Sequence, residues 1–104
     1  MSAVGFTRRA EVDLATIADY TLREWGEEQT VRYVEGIEAC CQLLADNPAI
    51  GRSCDYIRPG LHRMESGSHV IFYRHEPQGI LVSRVLHKRM SPERNLADDE
   101  NSTP

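Results

Sequence analysis

The sequence contains no long hydrophobic segment. No apolar run approaches the roughly 18 residues that a membrane-spanning helix needs, and the first residues lack the charged-then-apolar pattern of a secretory signal. We therefore expect a cytoplasmic protein that does not enter a membrane. With 104 residues, 40% of them hydrophobic and 27% charged, the chain is long enough for one globular domain. We assign this domain to residues 1–96 and expect residues 97–104 to form a polar, disordered tail.

Patterns typical of metal, redox and nucleotide chemistry are also missing. The three cysteines form no Cys-x-x-Cys pair, and the adjacent Cys40 and Cys41 lie in a helical segment where their side chains diverge. None of the four histidines stands at metal-ligand spacing from another histidine, cysteine or carboxylate. A glycine-rich phosphate loop and a Ser/His/Asp order are absent. We therefore expect reduced thiols, with Cys40 or Cys41 filling the core, and neither a metal nor a cofactor.

Two segments repeat apolar residues with the period of a helix. Asp13 lies off the apolar stripe of the first segment, which consists of Ala10, Leu14, Ile17, Ala18, Thr21 and Trp25. The second segment starts at Glu27 and has the stripe Thr30, Tyr33, Val34, Ile37, Cys41 and Leu44. Only Gly26 separates the two, at a position where a left-handed helix cap favours glycine. Two helices with so short a connection fold back on each other as an antiparallel hairpin.

The other segments have the composition of strands and turns. A first strand is predicted within residues 3–9, a loop over residues 49–60, and three further strands over residues 61–65, 69–75 and 80–87. Short links join the last three strands, so they form an antiparallel meander. Alternation places one set of residues of the last strand on a common face, namely Ile80, Val82, Arg84 and Leu86.

A short helix follows the last strand. In "SPER" Ser91 can cap the helix, and Pro92 occupies the first helical position, where its missing N–H costs nothing. The complete order predicts an α+β fold with a strand, an antiparallel helical hairpin, a three-stranded antiparallel meander and a short C-terminal helix. The simplest way to bury the two apolar stripes is to pack the hairpin on one face of the sheet.

Charge is unevenly distributed along the chain. The net charge is −4, although residues 1–50 carry −5 and residues 51–96 carry +4. A basic second half suits a phosphate or an acidic protein partner. A solvated, strand-rich surface explains the same pattern, so charge alone leaves both interpretations open.

The order of four segments resembles the ParE toxins of the RelE/ParE superfamily of type II toxin–antitoxin modules. The segments are "DLATIADYTLREWGEEQTVRYVEGIEA", "LLADNPAIGR", "IRPGLHRMESGSHVIFYR" and "RVLHKRMSPERNL", and the resemblance extends over residues 6–96. It implies a RelE/ParE-like fold without a cofactor, a ParD-like antitoxin whose C-terminal arm wraps the toxin, and DNA gyrase as the target. Operator DNA would be contacted only through the antitoxin. The RelE-like branch instead cleaves messenger RNA on the ribosome, and a shared fold does not choose between the two activities.

Landmarks of the nuclease branch are replaced in this sequence. Cleavage through a 2′-hydroxyl needs proton donors and acceptors and cations around the phosphate. The arginine that several RelE-like nucleases carry in the third strand corresponds to Val70, and the aromatic hydroxyl near their C-terminus corresponds to Lys88. We therefore expect a gyrase poison that is not an enzyme. For the alternative, a ribosome-dependent mRNA endonuclease, the catalytic candidates are His87, Arg84 and Arg63.

Two sets of residues are candidates for contact with partners. The basic segment at the end of the last strand combines forked cationic donors, an adaptable methionine and a capped helix, and it is our candidate for gyrase binding through His87, Lys88, Arg89, Met90 and Arg94. The antitoxin candidates are Tyr20, Tyr33, Ile57 and Leu61. Trp25 is also a candidate for antitoxin contact, and the alternative, a position in the core of the domain, is stronger for Trp25 than for Tyr20.

Overall fold

The computed structural model describes residues 2–96, which form a helical hairpin, a mixed sheet and a short last helix. The helices are α1 (Arg8–Trp25), α2 (Glu27–Asp46) and α3 (Pro92–Leu96), with a 3₁₀ turn at Pro48–Ile50. The strands are β1 (Ala3–Phe6), β2 (Arg52–Ser53), β3 (Leu61–Ser66), β4 (His69–Glu76) and β5 (Gly79–His87). The α+β prediction is confirmed. The polar tail predicted at residues 97–104 lies outside the described residues.

The two long helices begin and end where local chemistry favours a boundary. The hydroxyl of Thr7 accepts a hydrogen bond from the N–H of Ala10 at 3.1 Å and so caps α1. Gly26 separates the helices with φ of 88°, a left-handed conformation that costs a glycine little. α2 ends two residues before Pro48, since the residue before a proline avoids helical dihedrals. The predicted hairpin is therefore confirmed.

The sheet has the strand order β1-β5-β4-β3-β2. β3, β4 and β5 form the predicted antiparallel meander, whereas β1 runs parallel to β5, with Ala3 opposite Gly79 and Phe6 opposite Val82. A Cβ atom at Gly79 would collide with the backbone of Ala3, so only glycine permits β1 to approach so closely. The two-residue β2 pairs with β3 at the other edge and interrupts the loop that we predicted over residues 49–60.

A bulge interrupts β5. Phe72 of β4 lies opposite Arg84, but the next residue, Tyr73, lies opposite Val82. Ser83 is therefore an extra residue on β5 with no counterpart on β4. An extra residue of this kind inverts the alternation of the side chains that follow it.

The bulge explains why our prediction for the faces of β5 is wrong. Val85 packs with Ile80 and Val82 against the hairpin, while Leu86 packs on the opposite face. A regular strand would have put Val82 and Leu86 together, but the inserted residue moves them apart. The residues predicted on one face and divided by the bulge are Ile80, Val82, Arg84 and Leu86.

Both faces of the sheet are covered by apolar groups. The hairpin face contains the larger cluster, which includes Ile17, Ile37, Leu44, Ile71, Tyr73 and Val82. The opposite face contains a second cluster, to which the loop before β3 and helix α3 contribute, and its members are Cys54, Leu61, Val70, Phe72, Leu86 and Leu96. α3 is therefore part of the folded domain and seals the second face.

The cysteines are free thiols, as predicted. Cys41 is buried in the larger cluster and fills the core, and burial, together with nearby Cys40 and Glu38, raises its pKa to about 12. Cys54 is buried in the second cluster, where desolvation raises its pKa. These thiols are unreactive packing groups under neutral conditions.

A carboxylate on α1 joins three elements that are distant in sequence. Asp13 accepts hydrogen bonds from Nε of Arg84 at 2.8 Å, from Nη2 of the same guanidinium at 3.0 Å, and from the backbone N–H of Val85 at 2.9 Å. Nη1 of Arg84 donates to the carbonyl of Asn95 in α3 at 3.0 Å. The Arg84 side chain is 4% exposed and that of Asp13 12% exposed. Asp13 was predicted to lie off the buried stripe of α1, and this is wrong. Its carboxylate faces β5 and binds Arg84 and Val85, which lie beyond the part of β5 that pairs with β1.

We expect Asp13→Ala to destabilise the fold by about 3 kcal/mol or more, because it leaves the buried guanidinium of Arg84 without its charged partner. The matched control is Glu28→Ala, which removes the exposed Glu28–Arg32 pair on α2 and should cost less than about 0.5 kcal/mol. Urea unfolding followed by circular dichroism measures both changes. Equal effects of the two substitutions would contradict a structural role for Asp13.

Candidate functional site

A groove of about 680 Å³ opens between the helical hairpin and the ends of β4 and β5. It is lined mainly by apolar and aromatic groups with a few polar ones, the composition of a ligand-binding or partner-binding site. Its principal side chains are Tyr20, Trp25, Tyr33, His69, His87 and Met90. The turn between β3 and β4 and the start of the loop after β5 meet the two helices here.

Tyr33 fixes the floor of the groove. Its hydroxyl accepts a hydrogen bond from the N–H of Ser68 at 2.9 Å and lies 2.6 Å from Nδ1 of His69. Gly67, in the turn beside them, has φ of 59°, and a Cβ atom there would lie 2.7 Å from the Tyr33 ring. Because Gly67 has no side chain, the turn between β3 and β4 lies directly against Tyr33 of α2.

Two histidines lie side by side next to Tyr33. His69 and His87 are opposite each other on β4 and β5, and their rings meet edge to face with centroids 5.3 Å apart. Burial lowers the pKa of His69, and neighbouring His87 lowers it further, while Asp13 acts in the opposite direction. Nδ1 of His87 accepts a hydrogen bond from the backbone N–H of Arg89 at 3.1 Å. The pairing of the two rings depends on the register of β4 and β5, which residue patterns in the sequence do not provide.

The open side of the groove is aromatic and exposed. Trp25 is 70% exposed and Tyr20 58% exposed, and Met90 is 40% exposed beside them. The core alternative for Trp25 is wrong, because α1 ends at this residue and its exposed side chain borders the groove. Large aromatic side chains left in water around a concave surface are typical of a site that a partner covers.

A family model for "ParE toxin of type II toxin-antitoxin system, parDE" matches residues 4–92 of the chain. The chain belongs to the ParE toxin family. It is 43% identical to Toxin ParE1 of Mycobacterium tuberculosis over 88 residues, covering 84% of this chain and 90% of that protein. It is 37% identical to Toxin ParE1 of Caulobacter vibrioides over 98 residues, covering 92% and 99%, and 33% identical to Toxin ParE of Escherichia coli over 99 residues, covering 94% and 96%.

A solved structure titled "Chromosomal ParDE TA system from P. aeruginosa" has the same fold, with a TM-score of 0.70 and 21% sequence identity. The match covers 84% of this chain and 96% of that one. The predicted ParE resemblance is therefore confirmed, and the protein is a toxin of a type II toxin–antitoxin system.

The structure divides the gyrase candidates of this ParE family member into two groups. His87 and Met90 line the groove, whereas Lys88, Arg89 and Arg94 are exposed outside it. Lys88 lies 3.5 Å from a carboxylate oxygen of Glu65 on β3. Lys88 and Arg89 thus stand in the chain between two groove residues, His87 and Met90, but do not line the groove themselves.

The antitoxin candidates are also divided. Tyr20 and Tyr33 line the groove, but Ile57 packs on the second apolar cluster at the other face of the sheet. Leu61 is fully buried in that cluster and cannot contact a partner, so this candidate is wrong. A hydrophobic residue at the start of a strand has the same appearance in the sequence whether it faces a partner or the core.

The three nuclease candidates are held in separate contacts. Arg84 is buried against Asp13, and the guanidinium of Arg63 lies 5.6 Å from the centre of the Phe72 ring. His87 lies in the groove beside His69, on the other face of the sheet from Phe72. The valine at the nuclease landmark, Val70, is buried in the second cluster. These residues do not form a common cationic site around one phosphate.

Within residues 2–96, no group of three or more histidine, cysteine, aspartate or glutamate side chains is arranged to hold a metal ion. The same part of the chain contains no helix with the length and apolarity needed to cross a membrane.

We expect Tyr33→Phe to destabilise the protein by about 1–2 kcal/mol, because the N–H of Ser68 and Nδ1 of His69 lose their shared partner. Tyr20→Phe is the control, since the hydroxyl of Tyr20 makes no hydrogen bond within the described part of the chain, and it should change stability by less than about 0.5 kcal/mol. Thermal unfolding of the three proteins tests this expectation. A neutral Tyr33→Phe would show that the hydroxyl does not hold the turn against α2.

Proposed function

We propose that this ParE toxin poisons DNA gyrase by protein–protein recognition and that a ParD-like antitoxin neutralises it by filling the groove. One observation carries the proposal: candidates assigned separately to the two partners line the same groove. Tyr20 and Tyr33 come from the antitoxin set, and His87 and Met90 from the gyrase set. An antitoxin arm lying on the two tyrosines would therefore also cover the residues that we assign to the target.

Gyrase recognition combines an apolar anchor with a cationic rim. Met90 supplies an adaptable, exposed apolar side chain, and Lys88 and Arg89 lie beside it on the same turn. Ser91 supports this turn, because its hydroxyl accepts a hydrogen bond from the N–H of Arg94 at 3.4 Å at the start of α3. Exposed cations of this kind accelerate association with an acidic surface, while the buried apolar contact sustains the complex.

Poisoning requires a difference in affinity between two states of gyrase. A toxin that binds the DNA-cleaved state more tightly than the resealed state shifts the equilibrium toward cleaved DNA, and one that binds both equally shifts nothing. The toxin needs no bond-making chemistry for this effect. Arg84 forms an ion pair with Asp13, and the guanidinium of Arg63 lies over the Phe72 ring. Because both arginines are held in these contacts, we favour recognition over RNA cleavage.

The antitoxin has two roles in this proposal. It covers the exposed aromatic side chains of the groove, which are unusual on the surface of a small monomer. It also brings the toxin to operator DNA, which this chain contacts only through the antitoxin. Since Trp25 is the single tryptophan of the chain, its fluorescence reports directly whether the groove is occupied.

We expect the wild-type toxin to accumulate linear DNA in a cleavage assay with purified gyrase and supercoiled plasmid. Reversing the two rim charges with Lys88→Glu and Arg89→Glu should raise the toxin concentration needed by about tenfold, with a larger effect at low salt. The matched control reverses the charges of exposed Arg23 and Arg52, which lie away from the groove, and should behave like the wild type. Failure of the wild-type toxin to generate linear DNA would contradict gyrase poisoning.

Point substitutions are preferable to removal of the C-terminal helix. Leu96 of α3 is fully buried in the second cluster, and the carbonyl of Asn95 accepts a hydrogen bond from Arg84. A chain ending at Met90 would expose that cluster and lose activity through unfolding.

Toe-printing on translating ribosomes tests the endonuclease alternative with the same protein preparation. We expect no toxin-dependent cuts in messenger RNA. Codon-dependent cuts that disappear with His87→Ala would assign the protein to the nuclease branch instead.

A further inference from the structure

Both histidines of the groove use Nδ1 for a contact within the toxin, so Nε2 is the ring atom that concerns a partner. Nδ1 of His69 lies 2.6 Å from the Tyr33 hydroxyl, and Nδ1 of His87 accepts a hydrogen bond from the N–H of Arg89 at 3.1 Å. A neutral imidazole with Nδ1 used as an acceptor carries its hydrogen on Nε2. His87 therefore has an Nε2–H donor, and His69 has one in the tautomer in which the Tyr33 hydroxyl donates to its Nδ1; both rings line the groove.

The carboxylates near the two histidines already have partners within the toxin, so the pair can bind an acidic group of another protein. Asp13, the carboxylate facing the groove from α1, is already bound to Arg84 and to the N–H of Val85. Glu65 on β3 lies beside Lys88. Tyr33 on α2 contributes a hydroxyl, and the loop after β5 contributes exposed Lys88 and Arg89. The end of the groove where the histidines lie is thus rich in donors and cations.

We propose that the His69–His87 pair binds the carboxylate of an aspartate or glutamate side chain of the antitoxin, and that the complex takes up a proton. This inference rests on the proposed function, since it assumes that the antitoxin occupies the groove. The two rings are neighbours, with centroids 5.3 Å apart, and a carboxylate bound between them would accept a hydrogen bond from each imidazole. Apolar groups flanking that acid in the partner would pack on Trp25, Tyr20 and Met90.

His69 is the ring that accepts the proton. Protonation of Nδ1 of His69 turns that atom into a donor, and the Tyr33 hydroxyl can then direct its own hydrogen to the carbonyl of Ser66, which lies 3.5 Å away. Protonation of Nδ1 of His87 would instead oppose the N–H of Arg89 and break that hydrogen bond. The Tyr33 side chain therefore makes His69 the favoured site.

The sign of the pH dependence follows from this arrangement. In the free toxin, burial and the neighbouring His87 lower the pKa of His69, so the ring is neutral at pH 7. A bound carboxylate favours the protonated ring and raises the pKa of His69 in the complex. The complex then binds more protons than its components, so affinity increases as pH falls from 8 through the pKa of the complex. The carboxylate of the partner stays ionised down to about pH 5.

The experiment measures antitoxin binding by titration calorimetry between pH 8 and pH 6. The probe is the purified antitoxin that restores growth when it is co-expressed with the toxin. We expect binding at pH 6 to be about threefold to fivefold tighter than at pH 8, because His69 of the complex holds a proton that His69 of the free toxin holds only in part. Buffers with different ionisation enthalpies should show net uptake of about half a proton per complex near pH 6.

Two variants and one control make the result specific. His69→Asn and His87→Asn keep an acceptor near the position of Nδ1 but remove the Nε2–H donor, so both should weaken binding and the first should abolish the pH dependence. His75→Gln changes an exposed histidine that does not line the groove and should retain the wild-type profile. Thermal unfolding confirms that each variant is folded before binding is measured.

The outcomes separate this inference from the proposed function. Absence of antitoxin binding at every pH would contradict the proposed function itself. Tight binding that is independent of pH and insensitive to His69→Asn and His87→Asn would leave the function standing and overturn the carboxylate site. Weaker binding at pH 6 would also overturn it, because a proton would then be released and not taken up.

Discussion

The fold depends on the ion pair between Asp13 and the buried guanidinium of Arg84. Asp13 holds the guanidinium of Arg84 and the N–H of Val85, while the other side of the guanidinium binds the carbonyl of Asn95. These bonds join α1 to the part of β5 beyond its parallel pairing with β1, and they join β5 to α3. Because Asp13 also lines the groove, the same contact that stabilises the domain sets the distance between the hairpin and the end of β5. This ion pair therefore holds one side of the groove, and the exposed side chains of Tyr20 and Trp25 form the open side.

The proposed function assigns toxicity and its neutralisation to a single surface. A target and an antitoxin that use separate faces would require coupling through the protein to exclude each other, and such coupling needs two conformations of the toxin. Shared use of one groove needs no conformational change. Apolar clusters already cover both faces of the sheet, and the groove on the hairpin side is the concave surface that the proposal assigns to both partners.

Patterns with a local cause could be predicted from the sequence. The two helices, the Gly26 break, the meander and the cap at Ser91 follow from periodicity and turn chemistry, and the family follows from the order of the segments. The errors arise where one contact depends on distant residues. The bulge at Ser83 is set by pairing with β4, and the inward position of Asp13 depends on Arg84. The His69–His87 pair likewise requires strand register, which single-residue patterns do not provide.

The central claim is that gyrase and antitoxin use the same groove, and a competition measurement tests it most directly. Purified gyrase with DNA is immobilised, the toxin is bound to it, and antitoxin is added at increasing concentration while toxin release is followed. We predict that saturating antitoxin prevents all toxin binding and that the apparent dissociation constant for gyrase rises in proportion to free antitoxin. A stable complex containing gyrase, toxin and antitoxin together would contradict the account.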